Sequence, residues 1–187
     1  MRRRHLLPGL LLAPWWLGGL VPRAAHAQTV ELSTLKLQRD EGALMLEFAV
    51  RIALSRSVED ALQRGVPMYF MAEAELFSRR WYWRDERVAR VRRSWRLAFQ
   101  PLTATWRVSL GALTQTYATL PEAMSALSGA GRWKITDLSE LDPETRHYVE
   151  FSYRLDTTQL PSPMQIGLGG QPDWVIRIDR ELNVPPP

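Results

Sequence analysis

No cysteine occurs among the 187 residues. A chain without thiols cannot be stapled by disulfides, cannot use thiolate chemistry and cannot build the usual zinc sets. Histidine is nearly as scarce. There are three, and His5 and His26 fall in the first 27 residues, so His147 stands alone in the rest. Nucleophilic catalysis needs a hydroxyl or thiol with a base beside it. A single histidine between Arg146 and Tyr148, at the start of a strand pattern, reads as an ordinary strand residue. No Gly-x-Ser-x-Gly elbow is present. Past residue 27 there is no apolar run approaching the ~20 residues that a spanning helix needs. Internal repeats and low-complexity blocks are also lacking.

The first residues have a different character. Arg2, Arg3 and Arg4 form a basic opening, and Leu6 to Val21 form an apolar stretch interrupted by Pro8, Gly9, Pro14 and Gly18-Gly19. Ala25-His26-Ala27 fits a small-x-small cleavage site. The layout is that of a secretory signal. It predicts cleavage after Ala27, a periplasmic location and no membrane anchor afterwards. The Arg3-Arg4 pair partly matches a twin-arginine signal, and the general secretory route fits better.

The export segment also accounts for the basic balance. Of the 24 basic residues, Arg2, Arg3, Arg4 and Arg23 lie before residue 28, where there is no acidic residue. The remainder carries twenty basic and twenty acidic residues and is formally neutral. A net-charge argument for nucleic-acid binding fails at that point. The predicted organisation is a signal at 1–27, one β-rich domain at 28–184 and a disordered proline tail at 185–187.

Alternation of apolar and polar residues dominates the domain. Leu44, Leu46, Phe48, Val50, Ile52 and Leu54 mark a half-buried strand, with residues 29–38 as its hairpin partner through Arg39-Asp40-Glu41-Gly42. The apolar parity slips between Leu32 and Leu35, which predicts a bulge. Ser57 is a candidate cap of a short helix that Gly65 ends. Phe70, Ala72, Ala74 and Leu76 share one face of the next strand, opposite Glu73 and Glu75. Val91, Trp95, Leu97 and Phe99 share a face of its return strand. Further strands are marked by Trp106, Val108 and Leu110, by Trp133 and Ile135, by Val149, Phe151, Tyr153 and Leu155, and by Trp174, Ile176 and Ile178. Between them, Leu120 to Leu127 has helical spacing, with Thr119 as cap and Pro121 in the first turn. About eight strands and two short helices predict a mainly β, antiparallel sandwich-like domain; a single sheet with a helix across it is the alternative.

Four segments together resemble one exported proteobacterial family. They are VPMYF at 66–70, RRWYWRDERVA at 79–89, SWRLAFQPLTATWRV at 94–108 and LDTTQLPSPMQ at 155–165. The chain is similar over nearly its whole exported part to the domain of unknown function DUF4390. Trp174 matches the first of two closing tryptophans in that family, and no second follows Ile178. The resemblance implies a periplasmic location and supplies no activity, substrate, cofactor or catalytic residue.

Chemistry-bearing clusters are few. Asp137, Glu140, Asp142 and Glu144 lack the spacing of a calcium loop and read as a solvated turn. Gly167-Leu168-Gly169-Gly170 leads into a strand pattern rather than a helix N-terminus, so it reads as a turn and not a phosphate loop. No catalytic residue, metal ligand or cofactor-binding residue is predicted, and the chain is expected not to be an enzyme. The candidate site is the stretch RRWYWRDER. Arginine forks bind carboxylate and phosphate, and tryptophans supply flat contact area. Arg79, Arg80, Trp81, Trp83 and Arg84 are the candidate binding residues, with an envelope protein or anionic envelope lipid as partner and no nucleic acid. The competing reading is a hairpin tip whose arginines pair with Glu73 and Glu75. Unless a bulge shifts the register, parity places Trp81 and Trp83 off the core face, where they either cover a second layer, such as a helix, or stack with arginines, or are exposed to a partner. Two other functions stay open: a carrier of lipid or a small apolar ligand, and a carboxylate-dependent hydrolase.

Overall fold

Alternating sequence becomes nine antiparallel strands in the computed structural model, which describes residues 30–82, 84–161, 165 and 171–186. The predicted export segment and its predicted cleavage site, Trp83 and the predicted glycine turn at 167–170 lie outside the described residues. Strands β1 (Val30–Asp40) and β2 (Ala43–Ile52) form the expected hairpin. Glu41 and Gly42 both have positive φ, 49° and 76°, as the tight two-residue hairpin turn requires. The register slips between Leu32 and Thr34, where parity predicts a bulge.

Helix α1 (Arg56–Gln63) follows. Its cap is Ser55, not Ser57. The Ser55 Oγ accepts from the Val58 N–H at 3.2 Å, while the Ser57 hydroxyl donates to Asp173 Oδ2 at 2.9 Å. Strands β3 (Met68–Ser78) and β4 (Glu86–Gln100) are the long central hairpin, and β5 (Thr105–Leu110) and β6 (Leu113–Tyr117) continue the meander. Helix α2 (Leu120–Leu127) has the expected Thr119 cap, closed reciprocally by Glu122 into a capping box. It is followed by β7 (Gly129–Asp137), β8 (His147–Leu155) and β9 (Arg177–Asn183). The last strand begins later than alternation suggests. Pro172–Trp174 is a short 3-10 turn that buries Trp174, and pairing with β8 starts at Arg177.

The strands divide into a three-stranded sheet, β1-β2-β7, and a six-stranded sheet, β6-β5-β4-β3-β8-β9. Two antiparallel sheets agree with the expected sandwich-like, mainly β class and set aside the single-sheet alternative. Phe48 of β2 lies between them. Its ring is 4.9 Å from Phe151 and within 6.3 Å of Trp95, Trp133 and Tyr153. Each of these large side chains contributes about 1.5–3 kcal/mol by leaving water. The fully buried Tyr153 donates its hydroxyl to the Leu127 carbonyl at 3.0 Å, which fixes the end of α2.

The opposite face of the six-stranded sheet carries the charges. Glu73 faces Arg92 and Glu75 faces Arg90 across the β3–β4 pair. Glu73 is buried although it lies on this face. Arg90, Arg92 and Arg154 cover it, with Arg92 Nε 2.9 Å from Glu73 Oε1. Burial would raise its carboxyl, yet hydrogen bonds from Arg90 and Arg92, together with their charges, hold it below its ordinary value.

Candidate functional site

The β3–β4 ladder runs out at the pair Ser78–Glu86, leaving residues 79–85 as the connecting loop. Its base is braced. Asp85 is the organiser: Oδ1 accepts the Arg80 N–H at 3.1 Å and Oδ2 accepts the Tyr148 hydroxyl at 2.8 Å. Those bonds, the backbone one first, hold the Asp85 carboxyl below its ordinary value. Burial and the bond to Asp85 push the Tyr148 hydroxyl up to about 12. Tyr148 also stacks on Phe77, with ring centroids 5.3 Å apart.

The two leading arginines belong to this brace. Arg79 donates its N–H to the Arg146 carbonyl at 2.9 Å, lays its guanidinium 4.8 Å from the Tyr148 ring centre and pairs with Glu181 at 2.5 Å. Arg80 pairs with Glu86. The sequence places both among the candidate binding residues; the structure gives them intramolecular partners. A cation already over a ring and against a carboxylate has less to offer a ligand, because binding must first exchange those contacts.

Beyond the brace the chain turns outward. Trp81 is 94% exposed and Tyr82 is 65% exposed, their rings meeting edge to face at 5.2 Å. Arg84 is exposed and has no ion-pair or hydrogen-bond partner among the described residues. Trp83 lies outside them. Trp81 covers no second layer among the described residues, and its exposure follows from its place in the loop beyond the last strand pair, where strand parity no longer applies. Tyr82 is the residue that the sequence reading passed over. It sits between two tryptophans in RRWYWRDER, and a seven-residue loop has no alternation to mark which of its residues point outward.

The arginine run that follows is mostly committed to the sheet. Arg87 and Arg90 pair with Glu75, and Arg90 and Arg92 pair with Glu73. Arg93 points to the other face, over the Trp133 ring at 5.2 Å, where burial lowers its pKa. Arg96 has no such partner among the described residues.

Two open depressions adjoin the loop. One of about 520 Å³ is bounded by Arg80, Trp81, Tyr82, Arg87, Glu140 and His147. The other, about 730 Å³, is lined by Leu138, Leu141, Pro143, Arg146, Val184 and Pro185. His147 is buried at the junction of the two. Asp142 is closed locally, accepting the Glu144 N–H at 2.9 Å and the Thr145 hydroxyl at 2.8 Å, as in a solvated turn. On the charged sheet face a third depression, about 370 Å³, is lined by Glu73, Glu75, Glu150, Arg154, Asp179 and Glu181. Among the described residues no group of three or more His, Asp or Glu side chains is arranged to hold a metal ion, and no helix is long and apolar enough to cross a membrane.

Comparison with known proteins gives one match. A family model described as "Domain of unknown function (DUF4390)" covers residues 27–182. No curated protein and no solved structure matches the chain.

Proposed function

The chain belongs to the DUF4390 family, and from that premise we propose that it is an exported periplasmic domain, without enzymatic activity, that binds an envelope protein through the loop tip formed by Trp81, Tyr82 and Arg84. The observation that carries this reading is an indole 94% exposed at the end of a loop whose base is fixed by Asp85, Arg80 and Tyr148. Exposed aromatics on mobile segments lose entropy on binding; a braced one is presented at lower cost. Covering most of one tryptophan removes about 150 Å² from water, worth about 3–4 kcal/mol before the costs of association. The basic, interrupted apolar opening of the chain supports export.

The other readings meet specific obstacles. A carrier needs space between the sheets, and there Phe48, Trp95, Trp133, Phe151 and Tyr153 pack ring to ring. A carboxylate hydrolase needs an acid with a raised pKa, whereas the buried Glu73 is held low by its arginines.

The test is cross-linking and pull-down from the periplasm with wild type and the triple variant W81A/Y82A/R84A. These three side chains are exposed, so the variant should melt like wild type while capture of the partner falls by at least about 30-fold. Equal capture, or a variant that unfolds, overturns the proposal. Vesicles with and without anionic lipid serve as the second arm: binding that depends on the tip and on anionic lipid alone replaces the protein partner with a membrane surface.

A further inference from the structure

Two sheets have four edges, and each presents a row of backbone donors and acceptors that can template another strand. Proteins normally protect such rows with charges, bulges or short irregular pairing. Three of the four edges follow that rule. β1 carries Glu31, Lys36 and Arg39 and a register break. β7 carries Arg132, Lys134 and Asp137, and its pairing with β2 is twice interrupted. β9 carries Arg177, Asp179, Arg180 and Glu181.

The fourth edge, β6, reads Leu113-Thr114-Gln115-Thr116-Tyr117. It has no charge, no proline and an unbroken register with β5. Gly111 has φ 58° and begins the two-residue turn closing the pair Leu110–Leu113. In such a hairpin the closing pair exchanges both backbone bonds, and bonding pairs then alternate. Leu113, Gln115 and Tyr117 therefore bond to β5, and the N–H and C=O groups of Thr114 and Thr116 point outward. Ser109 and Thr114, a non-bonded pair in this register, accordingly meet through their hydroxyls at 2.9 Å. No backbone bond to these outward groups is present among the described residues. Leu113 is 73% exposed on the same strand.

We propose that β6 pairs antiparallel with β6 of a second copy of this chain, on a two-fold axis at Gln115, joining two six-stranded sheets into one. The strand is self-complementary in that register. Thr114 stands opposite the second copy's Thr116 and exchanges two backbone bonds with it, and symmetry repeats the exchange, giving four. Leu113 comes opposite Tyr117 of the second copy, which covers the exposed leucine. Threonine–threonine and aliphatic–aromatic cross-strand pairs are both favourable, and an uncharged strand meets no repulsion from its own image. The contact is confined to one short strand, below the area of a standard interface, so the dimer is weak, with a dissociation constant of about 100 µM. The surface is separate from the Trp81 loop and does not depend on its role.

The register makes the test specific. Sedimentation equilibrium of the purified protein from about 1 to about 500 µM should show conversion of monomer to dimer in the wild type. T114K/T116K sets lysines opposite each other twice across the axis and should weaken the dimer by at least about tenfold. T114E/T116E applies the same repulsion with the opposite sign, beside Arg107, and should do likewise. T114K/T116E sets unlike charges opposite each other and should restore dimerisation. Melting curves confirm that each variant folds, and one folded like-charge variant suffices for the comparison. A wild type that stays monomeric to the top of the range overturns the proposal. So does a folded like-charge variant that dimerises as well as the wild type.

Discussion

Replacing Glu73 by glutamine probes the charged sheet face at its centre. The Glu73 side chain is 7% exposed and meets Arg90, Arg92 and Arg154, which are 38%, 50% and 30% exposed. Glutamine keeps the shape and one acceptor but removes the charge, leaving three guanidinium groups around a neutral amide. Removing one partner of a fully buried ion pair costs ~3–5 kcal/mol. Here the arginines can turn partly into water, which reduces the expected loss to about 2–3 kcal/mol. For a domain of this size that lowers the melting temperature by about 5–10 °C.

The pH dependence gives the sign. The folded-state pKa of Glu73 is lowered from 4.5, so its contribution is fully present above that value and is lost as pH falls through the lower folded value. The gap between wild type and E73Q should be widest near neutrality and should begin to close only once the pH falls below 4.5. Glu150 is the internal control. It stands opposite both Glu75 and Glu181 across neighbouring strands. Like charges directly opposite are unfavourable in a sheet, so E150Q should be neutral or stabilising by about 0.5 kcal/mol. Thermal unfolding followed by circular dichroism from pH 3 to 8 measures all of this. An E73Q protein melting within about 1 °C of wild type at neutral pH, or a gap that widens on acidification, refutes the reasoning.

Period-two patterning made the half-buried strands legible, because each buries one face and exposes the other. The same parity argument placed Glu73 and Glu75 opposite the arginines of the return strand, whereas Trp81 lies past the end of the ladder, where parity has no hold. β6 escaped because Leu113, Thr114, Gln115 and Thr116 are all exposed, which leaves no alternation to read. The helix cap was misplaced for a tertiary reason. Ser55 and Ser57 are equally good caps locally, and Asp173, arriving from far along the chain, engages both: its carbonyl accepts from Ser55, which still caps Val58, while its carboxylate takes the Ser57 hydroxyl. The buried Trp174 and Ile176 resembled a strand, yet Pro172 and the 3-10 turn delay pairing until Arg177. At the candidate site the residue types were visible but their commitments were not. Arg79 and Arg84 look alike in sequence, and only the fold brings Glu181 and Tyr148 to the first and leaves the second without a partner among the described residues.

Two further perturbations separate the fold from the site. A methyl group at Gly129 would stand 2.7 Å from the Phe48 carbonyl oxygen, so G129A should force β7 from β2 and cost about 2 kcal/mol, read as a drop of about 4–8 °C in melting temperature. Glycine-to-alanine changes in open strands normally stabilise, so an unchanged or raised melting temperature would show that β2 and β7 yield freely at this point. At the tip, D85A removes the acceptor for both the Arg80 N–H and the Tyr148 hydroxyl while leaving Trp81 in place. Amide exchange at Arg80 should accelerate by about tenfold, and partner capture should fall with it because the tip is no longer held; in the wild type the same protection should persist above the ordinary Asp85 value of 3.8 and fade only below it, since the folded carboxyl is held lower. Accelerated exchange with undiminished capture would mean that the tip binds without needing its brace, and exchange unchanged in D85A would mean that Asp85 is not what holds the loop.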